Sequence, residues 1–303
     1  MTKMSDAAEE TVPKIDEVDS YENAKDLGKS ERTLIGLVVP DISNSFFSKV
    51  VKGIEDLART NKFDLFLFNT SGIIEREKKA INSLRERKVD GLIYMGRTYG
   101  QQRSNLLADC DFPVVIIARE ESIIDHPTVN IDNYQAAYEM TDYLLDEGYH
   151  KIAFIGGPKE DTTAGLRRMQ GYEQALVDHK LETDANFIIR GDFTLKSGYQ
   201  GMQKILSQVD KLDAVFGASD EMAVGAMRYL KEEGYNIPAD IAVAGFDDIS
   251  LAEYVNPSLT TVMQPVYNLG HKGMEVLINL IKGEELREES IVLGHEIIVR
   301  QST

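Results

Sequence analysis

What most constrains this chain is an alternation: short apolar runs separated by longer amphipathic stretches. From Leu34 onward the runs are LIGLVV (34–39), FDLFLF (63–68), DGLIYM (90–95), PVVIIA (113–118), TVNI (128–131), KIAFIG (151–156), FIIR (187–190), DAVFG (213–217) and DIAVAG (240–245). Runs this short, rich in β-branched side chains, suit strands buried on both faces, as in a parallel sheet. Between them lie helix patterns. Over 219–234, Ser219 can cap, Asp220 and Glu221 fill the first turn, and Gly234 follows the end. Met222, Ala223, Ala226, Met227 and Leu230 make one apolar stripe there. Another helix begins with Pro265 in its first turn and ends before Gly283, with Leu269, Leu277, Leu280 and Ile281 on one side. Strand–helix alternation means an α/β fold with parallel strands. Roughly nine to eleven strands exceed what one eight-stranded barrel needs, so a pair of doubly wound lobes fits better, dividing near Asp132. A length of 303 residues suits two lobes.

Composition excludes several classes. No apolar run approaches the length of a membrane span, and the first 20 residues lack the apolar core of a secretory signal. Cys110 is the one cysteine, which excludes internal disulfides and cysteine-rich metal modules. The five histidines show no HExxH or HxxxH spacing, so neither a metal nor a cofactor is expected. A net charge of −17 argues against whole-surface affinity for nucleic acid or anionic lipid. The expectation is a cytoplasmic protein with no membrane contact. Residues 1–32 differ from the rest, with five basic and nine acidic side chains and few large apolar ones, and read as poorly folded.

In open α/β sheets, ligands lie outside the carboxyl ends of the strands. After the first strand stand Phe46 and Phe47, opening a helix, where they can stack on a ligand or pack into the core. Arg119 follows PVVIIA, and Arg167 and Arg168 precede Gly171–Tyr172; one of that pair can face a cleft while the other is solvated. Phe193 sits in a turn after FIIR. Ser219 follows DAVFG and serves as a helix cap or a ligand contact. Asp247 and Asp248 follow DIAVAG and can cap a turn, accept bonds from ligand hydroxyls, or act as acid and base. Gln264 follows LTTVM. Aromatics, arginines and short polar acceptors converging at carboxyl ends compose a pocket for a polyhydroxylated or planar polar ligand. Enzymatic signals are few. GxSxG, GxGxxG and a complete P-loop are absent; Gly28–Lys29–Ser30 mimics a P-loop end, but Asn23 stands where its first glycine belongs. Asp247, Asp248 and Asp220 leave a glycosidase-type carboxylate pair open.

IGLVVPDISNSFF (35–47), VDGLIYMG (89–96), VNIDNYQAA (129–137), FIGGP (154–158), RRMQGY (167–172), GDFTLKSGYQ (191–200), ASDEMAVGAM (218–227), VAGFDD (243–248) and LTTVMQP (259–265), with the final VRQST, resemble the effector-binding core of LacI/GalR-type transcriptional regulators, a core shared with periplasmic sugar-binding proteins. The resemblance runs from about Tyr21 to Thr303. It implies two doubly wound parallel-sheet lobes, 33–131 plus 265–292 and 132–263 plus 293–303, joined by three crossovers near 131, 264 and 293. It implies a regulator, not an enzyme, with a sugar, sugar phosphate or purine bound between the lobes. By motif position, Phe46 and Phe47 line the first-lobe wall, Arg168 binds ligand hydroxyls, Phe193 stacks, Asp247 accepts from adjacent hydroxyls, and Gln264 sits at the hinge. Two positions depart from many members: Ala118–Arg119 replaces Asp-Arg, and Ser219–Asp220 replaces Asn-Asp. The Ser-Asp pair and QPVYNLGHKGM (264–274) resemble catabolite-control members, which answer to a phosphocarrier protein, although Glu275 stands where such a partner calls for a basic residue. A homodimer is implied. Residues 1–32 resemble a degenerate remnant of the DNA-binding and hinge segment: Tyr21, Asn23, Ala24 and Leu27 match the hinge, but its proline is missing. Phosphate contacts need lysine and arginine, so operator DNA is expected as a partner only through a DNA-binding domain supplied elsewhere. The alternatives are a cytoplasmic sugar-binding protein without a DNA role, or a carbohydrate-active enzyme using Asp247.

Overall fold

The computed structural model describes residues 33–96, 101–119, 126–286 and 288–303. The expectations placed on 1–32 lie outside them. The chain runs β1 (Leu34–Val39), α1 (Ser45–Thr60), β2 (Asp64–Asn69), α2 (Ile74–Glu86), β3 (Gly91–Tyr94), α3 (Gln101–Ala108), β4 (Val114–Ile117) and β5 (Thr128–Ile131). It continues with α4 (Asn133–Asp146), β6 (Ile152–Gly156), α5 (Ala164–Asp178), β7 (Ile188–Arg190), α6 (Leu195–Gln208), β8 (Ala214–Gly217), α7 (Asp220–Glu232), β9 (Ala242–Asp247), α8 (Ser250–Tyr254) and β10 (Thr260–Met263). The last elements are α9 (Val266–Ile281), β11 (Ser290–Leu293) and β12 (Glu296–Ile298).

These strands form two six-stranded sheets, ordered β11-β5-β4-β3-β1-β2 and β12-β10-β9-β8-β6-β7. Every pairing is parallel except that of β10 with the edge strand β12. The chain passes between sheets three times: after β5, after β10, and between β11 and β12. All nine apolar runs are strands. Those in the sheet interiors, such as β3, β4, β6 and β8, are buried at every position. At the edge, β2 is nowhere fully buried: Leu65, Phe66 and Phe68 pack partly against the core, while Asp64, Leu67 and Asn69 are exposed. The described residues hold twelve strands rather than nine to eleven. The extra ones include β11 and β12, edge strands of three or four residues with exposed positions that give no apolar run.

Helix caps follow from the sequence. Asn44, Asp132, Thr194 and Ser219 each accept a bond from the first turn of the helix they open. In α7 the stripe Met222, Ala223, Ala226, Met227 and Leu230 is buried as a unit. The helices α1 and α9 pack against each other at very close range. A Cβ on Gly53 would lie 2.1 Å from the Tyr267 carbonyl oxygen, and one on Gly270 2.0 Å from that of Val50. Among the described residues, no helix is long and apolar enough to cross a membrane.

Candidate functional site

Both sheets point their carboxyl ends at one cavity. In each, the strand order reverses once, beside β1 and β3 in the first and beside β6 and β8 in the second. Such reversals leave a crevice between diverging loops. The cavity encloses about 680 Å³ with its mouth included, within the range of small-molecule sites. All eight residues singled out from the sequence line it: Phe46, Phe47 and Arg119 from the first sheet's loops, Arg168, Phe193, Ser219 and Asp247 from the second's, and Gln264 at a crossover. Asn44, Gly96, Ala118, Asn130, Asn133, Asp161 and Ala164 complete the wall.

The sequence left open whether the phenylalanines of α1 are core or ligand-facing. They are both. Their rings meet edge to face at 5.2 Å, pack partly against the core, and also front the cavity. Of the two arginines of α5, Arg168 turns inward and Arg167 outward, where its guanidinium lies over Tyr134. Arg168 Nε donates to Asn133 Oδ1 at 2.8 Å, and its Nη1 donates to the Ala218 carbonyl at 2.6 Å and reaches Asp247 Oδ1 at 3.4 Å. Its plane stacks on Phe246 at 3.6 Å. Arg119 Nε donates to the Gly96 carbonyl at 2.8 Å, its Nη2 donates to the same oxygen, and its Nη1 reaches Asp161 Oδ1 at 3.2 Å. Residue 96 has to be glycine, since a Cβ there would lie 2.6 Å from the Tyr94 hydroxyl.

Ser219 is a cap and a wall at once: its Oγ accepts from Met222 N at 3.3 Å while it lines the cavity. Neither Asp247 nor Asp248 caps a turn. Asp248 pairs with Arg300 at 2.7 Å, and Asp247 accepts from Gln264 Nε2 at 2.6 Å. Behind Asp247, the fully buried Asp220 accepts from Thr261 Oγ1 on one oxygen and from Ile249 N, 2.8 Å away, on the other. Asp220 does not line the cavity. Burial pushes the Asp247 carboxyl up to about 6, against the lowering effects of Arg168 and Gln264. Burial and the neighbouring Asp247 charge hold Asp220 well above the usual carboxylate range.

The backbone is strained where the walls meet. Ala118, Phe193 and Asp247 have φ of +61°, +66° and +117°. For residues with a side chain such values are costly and cluster at functional sites. Phe193 is seated against Gly157, where a Cβ would lie 2.2 Å from its ring. Among the described residues, two side-chain hydrogen-bonded contacts join the halves across the cleft: Arg119 to Asp161, and Asn44 Nδ2 to Glu221 Oε1 at 2.9 Å.

Asn44, Asn130, Asn133 and Asp161 were not singled out from the sequence. Asn133 carried a readable signal, since it stands one position into a helix that opens at a strand's carboxyl end. Asn130 lies within β5 and its Nδ2 is buried without a hydrogen-bond partner. Buried polar groups in that state are rare and want an explanation.

Residues 32–298 match the family described as periplasmic binding proteins and the sugar-binding domain of the LacI family. Catabolite control protein A of Priestia megaterium is 34% identical over 280 residues, covering 92% of this chain and 84% of that protein. The crystal structure of the transcription regulator CcpA of Lactococcus lactis superposes with a TM-score of 0.84 at 30% identity, covering 90% of this chain and 99% of that one. The transcriptional regulator CelR in complex with cellobiose superposes at 0.83 with 29% identity, covering 93% and 89%. The chain belongs to the LacI family of transcriptional regulators, and its two-sheet body is that family's effector-binding core.

Proposed function

We propose that the cavity between the sheets binds a small polar effector, a sugar or a similarly hydroxylated molecule, and that its occupancy sets how the two halves sit on one another. The observation that carries this is the convergence of aromatic faces, a buried carboxylate and an unpartnered amide donor on one cavity built from both sheets. Asp247 can take two adjacent hydroxyls, Phe193 and the α1 phenylalanines suit the C–H face of a ring, and Asn130 Nδ2 can donate to a ring or hydroxyl oxygen. The cellobiose bound by CelR is a ligand of this kind. The halves, 33–131 with 265–292 and 132–263 with 293–303, then close about the crossovers as hinged bodies. A second copy of the chain is the partner through which closure is read out, in the cytoplasm, and no reaction is catalysed. Against a glycosidase pair stands Asp220, whose carboxylate is spent inside the protein and never reaches the cavity.

A thermal-shift screen of pentoses, hexoses, disaccharides and purine nucleosides tests this. A ligand at 100 times its dissociation constant adds about 2.7 kcal/mol, several degrees in Tm. The expected hit disappears in Asp247→Ala. A hit that survives that change places the ligand elsewhere, and turnover of the ligand by the purified protein refutes a purely sensory role.

A further inference from the structure

Resting on the reading of this cavity as an effector site, we propose that it accepts an electrically neutral ligand, an unphosphorylated glycoside or nucleoside, and rejects phosphate esters and other anions. Among the described residues, the charged groups lining the cavity are Arg119, Arg168, Asp161 and Asp247. They are arranged as two opposite pairs, at 3.2 and 3.4 Å, and each of the four is at most 8% exposed. The site is therefore balanced before any ligand enters. A phosphate would bring buried negative charge with no cation left to meet it.

The donors point the same way. A phosphate is held by an arginine fork presented to it, or by bare amides at a helix N-terminus. Here Arg119 spends Nε and Nη2 on the Gly96 carbonyl and Nη1 on Asp161. Arg168 spends Nε on Asn133 and Nη1 on Ala218 and Asp247, with its face on Phe246. Two helices that open at the cavity are capped by side chains: Asn44 Oδ1 covers Phe46 N in α1, and Ser219 Oγ covers Met222 N in α7. The start of α5 has no side-chain cap, but Asp161 stands over it, its carboxylate accepting from Thr163 N and its carbonyl from Leu166 N. The next layer adds carboxylates. Asp220 lies behind Asp247, and Glu221 and Asp41 line the recess that shares Asn44 and Phe193 with the cavity. Burial raises the Glu221 carboxyl first, and the Asp247 and Asp41 charges raise it further. Among the described residues that line the cavity, the buried side-chain nitrogen without a partner belongs to a neutral group, Asn130 Nδ2. It asks for a hydroxyl, ring oxygen or carbonyl, not for a charge.

Isothermal titration of ribose, glucose, cellobiose and adenosine, each beside its own monophosphate, decides the matter. The expected result is that at least one neutral compound binds and its monophosphate binds at least about 100-fold more weakly. Asp161→Asn, which strips Arg119 of its carboxylate and keeps the acceptor for Thr163 N, is expected to narrow that gap about tenfold or more. A monophosphate that binds the unaltered protein as tightly as its neutral parent overturns the charge rule and leaves the effector site standing. Silence from both members of every pair overturns the effector-site reading, and this inference with it.

Discussion

Replacing Asp247 with asparagine is expected to raise stability at neutral pH while it weakens effector binding. In the folded chain, burial lifts this carboxyl to about 6 from the 3.8 it has when exposed. The folded state thus holds the proton more tightly than the unfolded one. Stability from this group is fully present below about pH 4, is lost as pH rises through about 6, and stays lost above. At about 1.4 kcal/mol for each tenfold difference in proton affinity, the loss comes to about 3 kcal/mol. Asparagine keeps the shape and an acceptor for Gln264 and Arg168 but cannot ionise. Arg168 lacks a counter-ion in the variant at every pH, and equally in the parent once Asp247 is protonated. That cost is common to the two proteins at pH 4; at pH 7.5 the parent regains the counter-ion, a gain already contained in the value of about 6. Removing the charge also eases the ionisation of Asp220, which adds in the same sense. Urea unfolding of both proteins at the two pH values measures the quantity directly. The variant should gain about 3 kcal/mol on its parent between pH 4 and 7.5. It should also lose about 10- to 100-fold in affinity for the neutral effector, the worth of a charged hydrogen bond. A stability difference that is the same at both pH values refutes the argument, because Asp247 would then ionise as an exposed carboxyl does.

Effector affinity should fall as the solution is taken below about pH 6, because a protonated Asp247 accepts fewer hydroxyls; titration at pH 6 in buffers of different ionisation enthalpy should show proton release on binding, and buffer-independent heats would contradict this. Gly270→Ala places a methyl 2.0 Å from the Val50 carbonyl oxygen, forces α1 and α9 apart, and should cost about 1–3 kcal/mol in a denaturant melt; an unchanged midpoint would show that the helices do not cross so closely. Phe193→Ala should weaken the neutral effector at least tenfold by calorimetry, as expected from the loss of one aromatic face worth about 1.5 kcal/mol, whereas unchanged affinity would remove the ring from the binding wall.

The parts of this molecule that sequence reading reaches are those fixed by local period, and the parts it misses are fixed by pairing through space. The interior strands announce themselves because both of their faces are covered, so every side chain along β4 or β8 is apolar. The edge strands β11 and β12 have no such requirement and stay silent. The choice between Arg167 and Arg168 was in fact readable. Arg168, Gly171, Tyr172 and Ala175 share one helical face and are all buried, so the inward arginine is the one in phase with Tyr172. Asp161 carries no such mark. It stands in a polar loop beside Lys159, Glu160 and two threonines, and its meaning comes from Arg119, 42 residues earlier in the chain and on the other sheet's loops. Asn130 fails for the opposite reason: one amide inside TVNI reads as a tolerated polar residue in a strand, and only the structure shows its Nδ2 buried and unmet. The family resemblance put a sugar phosphate among the expected ligands, and two arginines at strand ends gave the sequence no reason to exclude it. Placed in space, each arginine already has its carboxylate at 3.2 or 3.4 Å, and the same two residues become reasons to exclude the phosphate.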